Sequence, residues 1–118
     1  MHHFRELKIW QKSRELVKEA YLITKHLLSE ELFGLTSQIK RSAISLPANI
    51  AEGCGGDSNK EFLRFLDIAN GSAFELETLF ILATDLEFIN ETSIENLMTK
   101  LQPIERMINN LKLKYKNM

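Results

Sequence analysis

From Phe62 to Ala83, the residues Phe62, Phe65, Ala69, Ala73, Leu76, Phe80 and Ala83 follow one another at intervals of three or four. That is the period of an α-helix. A strand alternates every second residue and cannot keep such a series on one face. Leu63, Leu66, Leu79, Leu82 and Leu86 widen the stripe, as suits a helix that touches more than one neighbour. The start is marked by Asp57-Ser58. With Ser58 as N-cap, Glu61 stands three residues on, the spacing of a capping box. The series predicts a helix from Asn59 to about Glu87. Gly71-Ser72 interrupts its middle at a propensity cost of about 1 kcal/mol against alanine. A close helix crossing or a bend would account for it, and the crossing is the preferred reading.

Three more segments share this period. Leu7, Trp10, Val17, Tyr21 and Leu28, with Ile9, Leu16, Ile23 and Leu27 alongside, predict a helix from about Leu7 to Leu28. Ser29 to Gly34 form the first break. Leu35, Ile39, Ala43, Leu46 and Ile50 predict a helix from Leu35 to Cys54, stopped by Gly53-Cys54-Gly55-Gly56. Pro47 lies inside it and predicts a kink rather than a break. Ile94, Leu97, Leu101, Ile104, Ile108, Leu111 and Tyr115 define the last helix, with Ser93 as its expected N-cap. Pro103 either kinks this helix or opens a second segment. Four long amphipathic helices with short connections predict an all-α, antiparallel up-and-down four-helix bundle with a proline-kinked second helix, in a single domain over residues 1–118.

Several chemistries lack their residues. His2, His3 and His26 are the only histidines, and none stands three residues after a glutamate, the pairing a di-iron bundle requires. Neither CxxC, HExxH nor an EF-hand loop is present. The glycines around Cys54 follow a helix and precede Asp57, so they do not form a phosphate loop, which needs a strand before and a lysine after. With one cysteine, no intrachain disulfide forms. Cys54 at a helix C-terminus has nothing to activate it and is expected to be a passive thiol. No metal and no cofactor are expected. The chain contains no apolar run of ~18 residues to span a membrane and its N-terminus lacks a signal-peptide core, so the expected location is the cytoplasm.

Formal net charge is −1, yet charge is segregated along the chain. Residues 1–28 carry six basic and three acidic groups, residues 57–95 two basic and nine acidic, and residues 96–118 five basic and one acidic. These are either solvated helix faces or, for the two terminal helices, a basic surface for a partner. The candidates for contact with nucleic acid are Lys8, Lys12, Arg14 and Lys18 on the first helix, and Lys112, Lys114 and Lys116 on the last. No aromatic cluster looks like a platform for stacked bases. In the second helix, Gln38, Arg41, Ser45, Asn49 and Glu52 lie three or four apart. They form either a solvent-facing stripe or a hydrogen-bonded network between helices or subunits, with Arg41 and Glu52 paired and at least partly buried.

Three ordered segments resemble a known family. They are Phe4 to Lys12, Gly34 to Gly53 (GLTSQIKRSAISLPANIAEG), and Glu61 to Leu76 (EFLRFLDIANGSAFEL). Together they are similar to the four-helix-bundle proteins encoded in 23S rRNA intervening sequences, over nearly the whole chain. Cys54 departs from the family, which more often has a basic residue there. The resemblance implies a bundle that assembles as a homopentameric ring. It extends to the accessory protein of diversity-generating retroelements, which works with a reverse transcriptase and has a basic surface suited to nucleic acid.

The resulting expectation is a non-enzymatic, self-associating bundle that binds RNA, DNA or a nucleic-acid-handling protein such as a reverse transcriptase. The alternatives are a purely structural protein–protein module without nucleic-acid contact, and an uncharacterised enzyme. Apolar surface on the first and third helices beyond the needs of one core argues for an oligomer.

Overall fold

A computed structural model describes residues 3–25, 27 and 34–118. A short 3-10 turn, Phe4–Glu6, leads into α1 (Lys8–Thr24), followed by α2 (Leu35–Cys54), α3 (Asn59–Asp85) and α4 (Glu91–Lys116). No strand occurs among the described residues. α1 packs against α2 and α4, and so does α3, while α1 and α3 lie diagonally apart without contact. The result is a four-helix bundle of 45 × 23 × 20 Å. Both prolines lie inside continuous helices, so Pro103 does not open a separate segment.

Local chemistry explains most of the helix ends. Ser58 accepts a hydrogen bond from the Glu61 backbone N–H at 3.2 Å, the cap expected of it. α4 begins earlier than expected, because Asn90, not Ser93, is the cap: its Oδ1 accepts from the Ser93 N–H at 2.8 Å. α3 closes in a Schellman motif. The Phe88 N–H bonds to the Ala83 carbonyl and the Glu87 N–H to that of Thr84. This motif needs a left-handed residue, and Glu87 fills the place with φ 64°. The expected extension of the first helix to Leu28, and most of the break after it, lie outside the described residues.

One continuous core runs through the bundle. α2 supplies Ile39, Ala43, Leu46 and Ile50, α3 supplies Phe62, Leu66, Ala69, Ala73, Leu76 and Phe80, and α4 supplies Leu97, Leu101, Ile104 and Ile108, all essentially without solvent exposure. In α1 the deepest line is Ile9, Ser13, Leu16, Ala20 and Thr24, not the expected Leu7, Trp10, Val17 and Tyr21, which are half-buried flanks. Two hydroxyl residues can sit on that line because each donates to a carbonyl of its own helix, Ser13 to Ile9 and Thr24 to Tyr21.

The close crossing is also not where the sequence suggested. An added Cβ at Gly71 would meet nothing within 4 Å, whereas one at Gly53 would lie 2.8 Å from the Phe65 Cβ. Gly53, in the last turn of α2, is therefore the small residue that lets α2 and α3 approach.

Candidate nucleic-acid and assembly surfaces

The polar stripe of α2 divides in two. Ser45 and Asn49 are half-buried and turn toward α3. The Ser45 and Ser72 hydroxyls share a hydrogen bond of 2.8 Å, and the Asn49 amide donates to both the hydroxyl and the carbonyl of Ser45. The buried Ser42 extends this seam by donating to the Glu75 carboxylate. Ser42, Ser72 and Glu75 were not in the sequence-derived set, although Ser42 stands three residues before Ser45 and Glu75 three after Ser72. Gln38, Arg41 and Glu52 are exposed instead. Arg41 and Glu52 form no ion pair within the chain among the described residues. Eleven residues of helix separate them, a rise of about 16 Å, so neither can reach the other.

The basic candidates also separate. Lys8 lines a depression with Leu7 and Ile9 of α1 and Met107, Asn110 and Leu111 of α4, and Lys114 lies one turn beyond Asn110. Lys12 and Lys18 line a second hollow on this seam with Lys100, Glu15 and Glu19, where Lys100 and Glu19 pair at 3.1 Å. Packing of α1 against α4 thus gathers Lys8, Lys12, Lys18 and Lys100 along one edge of the bundle, beside Glu15 and Glu19. Arg14 lies by an open cleft with Phe4, Arg5 and Trp10. Phe4 and Trp10 meet edge to face at 5.1 Å, with the Arg5 guanidinium over one ring and that of Arg14 over the other. The sequence showed no such aromatic pair. Lys112 leaves this basic edge and pairs with Asp67 of α3 at 2.6 Å. Lys116 is exposed in the last turn of α4.

A second polar seam joins α3 to α4. Glu77 and Glu105 face each other there. Burial, then the hydrogen bond and charge of Glu77, push the Glu105 carboxyl up to about 8, against a smaller opposing pull from Arg106. Glu105 Oε2 and Asn70 Oδ1 are buried without a hydrogen-bond partner. The outer face of α3 carries Ile68, Phe74, Ile81, Leu82 and Leu86, each at least 40% exposed. Leu82 and Leu86, expected to widen the buried stripe, belong to this outer face. α1 exposes a single large apolar residue, Leu22, so the apolar excess expected of both helices belongs to α3.

Cys54 is buried, and burial pushes its thiol up, so it stays protonated at neutral pH. Among the described residues no three His, Cys, Asp or Glu side chains are grouped to hold a metal ion, and no helix is long and apolar enough to cross a membrane.

These features define a small helical bundle whose polar chemistry lies on surfaces and helix seams. The chain belongs to the family of 23S rRNA-intervening sequence proteins, whose family model matches residues 5–110. It is similar to a crystal structure of a protein of unknown function from the S23 ribosomal protein family of Bacteroides thetaiotaomicron. The two share 28% sequence identity and a TM-score of 0.82, over 88% of this chain and 97% of the other. No curated protein matches the chain.

Proposed function

We propose that the protein is a non-enzymatic, self-associating bundle that binds nucleic acid through the basic edge formed by α1 and α4. One observation carries this reading: packing of α1 against α4 collects Lys8, Lys12, Lys18 and Lys100 on one edge, where they outnumber Glu15 and Glu19, with the exposed Lys114 one turn beyond Asn110. Assembly as a ring, a homopentamer in the resemblance drawn above, repeats that edge in every subunit, so a modest charge per chain sums to a strong local field. Contact is to phosphates, since the Phe4 and Trp10 rings are already covered by guanidinium groups. Binding therefore weakens steeply with salt, with a log–log slope near −0.9 per phosphate neutralised on duplex DNA.

The test is an anisotropy titration with generic duplex and single-stranded RNA and DNA. Binding at about 50 mM salt that declines toward about 200 mM, and is lost when Lys8, Lys12 and Lys114 are replaced by glutamate, supports the reading. Absence of binding at the lower salt overturns it and leaves the protein–protein module, which the apolar outer face of α3 favours.

A further inference from the structure

The cleft beside Arg14 is fixed by local contacts. Gln11 of α1 donates its side-chain amide to the Arg5 carbonyl at 2.8 Å, which fastens the turn Phe4–Glu6 to the helix that follows it. That turn packs on both α1 and α2, so the cleft lies on the α2 side of α1. Two guanidinium groups stand over its rings, Arg5 at 5.8 Å from the Phe4 centroid and Arg14 at 5.5 Å from that of Trp10. A ring attracts the cation without consuming its N–H donors. Both arginines therefore keep paired donors for an oxyanion such as a phosphate.

This cleft and the hollow between α1 and α4 share a wall, because Glu15 and Lys18 line both. Arg5, Lys12, Arg14, Lys18 and Lys100 face Glu15 and Glu19 across the two together, and Glu19 is already paired with Lys100. The cations form one track. It starts between α1 and α4, crosses the outer surface of α1 at the exposed Lys18 and ends beside Trp10 on the α2 side.

We infer that this track binds a single strand of nucleic acid rather than a duplex, with phosphates on Lys12 and Lys100, on Lys18, and on the Arg5 and Arg14 guanidinium groups. The inference rests on the phosphate binding proposed above and names its ligand. Curvature selects the single strand. An α-helix with its side chains is about 10–12 Å across, and the track passes from one side of α1 to the other. Duplex DNA has a persistence length of about 50 nm, so a duplex seated on the hollow does not follow the track into the cleft. A single strand turns freely between phosphates and does. A phosphate in the cleft changes the charge beside Trp10, the chain's only tryptophan, so its emission reports that end of the track.

The test titrates labelled oligouridine and oligothymidine into the full chain at low salt, each strand alone and annealed to its complement. Probe anisotropy and Trp10 emission are read together. Both single strands are expected to bind about tenfold or more tighter than the duplexes, the weight of one charged hydrogen bond, and only they are expected to change Trp10 emission. The double variant Arg5→Gln/Arg14→Gln is expected to keep its helical circular dichroism, because both side chains are exposed. It should lose the emission change and lower the single-strand salt slope by about 0.7 for each phosphate contact removed. Absence of binding to every probe overturns the phosphate-binding reading itself. Duplexes that bind as tightly as single strands overturn the single-strand inference and leave that reading standing. Single-strand binding whose salt slope is unchanged in the double variant overturns the cleft as the end of the track.

Discussion

The Cβ that Gly53 lacks would sit 2.8 Å from the Cβ of Phe65 and 3.3 Å from a ring carbon of Phe62. The last turn of α2 is in this way pressed onto the first turns of α3. Phe65 cannot yield there by a rotamer change, because the close atom is its Cβ, which moves only with the backbone. Gly53→Ala is expected to cost about 1–3 kcal/mol, the range for overpacking a filled site, read as a fall in the urea midpoint at unchanged slope. A variant as stable as wild type would show that the two helices separate freely.

Glu105 gives stability a pH dependence. Its carboxyl titrates near 4.5 when unconstrained and is pushed up to about 8 in the fold, chiefly by burial. Between those values the folded chain holds a proton that the unfolded chain has released. The contribution is complete below about 4.5 and is lost as pH rises toward 8. Glu105→Gln keeps a neutral group beside Glu77. The variant is expected to flatten the melting-temperature profile between pH 5 and 9, with its largest gain over wild type at the alkaline end. Parallel profiles for the two proteins would exclude the Glu105 contribution.

Glu87 holds the left-handed position that ends α3. A non-glycine residue pays about 1–2 kcal/mol there, and the exposed Glu87 side chain packs against little in return. Glu87→Gly is therefore expected to raise stability by up to about 1 kcal/mol in a chemical melt, part of the relief being offset by the freer unfolded chain. A destabilised variant would assign the Glu87 side chain a role of its own.

The two ends of the α2 stripe should behave differently from its middle. Glu52 is exposed and unpaired with Arg41 in the chain, so Glu52→Ala is expected to change stability by less than about 1 kcal/mol. Ser72→Ala removes the bond between Ser45 and Ser72 across α2 and α3 while Ser45 keeps its bond from Asn49, and is expected to cost about 0.5–1.5 kcal/mol. Urea melts of both variants at one low concentration compare them. A larger loss for Glu52→Ala than for Ser72→Ala would reverse this assignment.

The sequence by itself determined what depends on neighbours along the chain. The bounds of α2 follow from Gly34 and the glycines around Cys54, and the start of α3 from the Ser58 cap, because propensity and capping act within a turn or two. Helix period likewise marked Ile39, Ala43, Leu46, Ile50 and most of the α3 line as core. Other features were decided only by how the helices pack. The stripe of α3 was wide enough to bury either flank, and contact with α2 and α4 alone placed Leu82 and Leu86 outside. Gly53 and Gly71 are equivalent in propensity, and they differ because Phe65 stands over one and no atom of the chain over the other. Lys112 and Lys114 are two residues apart on one helix, so they point to different sides. The helix period sends one to Asp67 of α3 and leaves the other exposed to solvent. Each of these outcomes depends on distances between residues far apart in the chain, which a helical period does not encode.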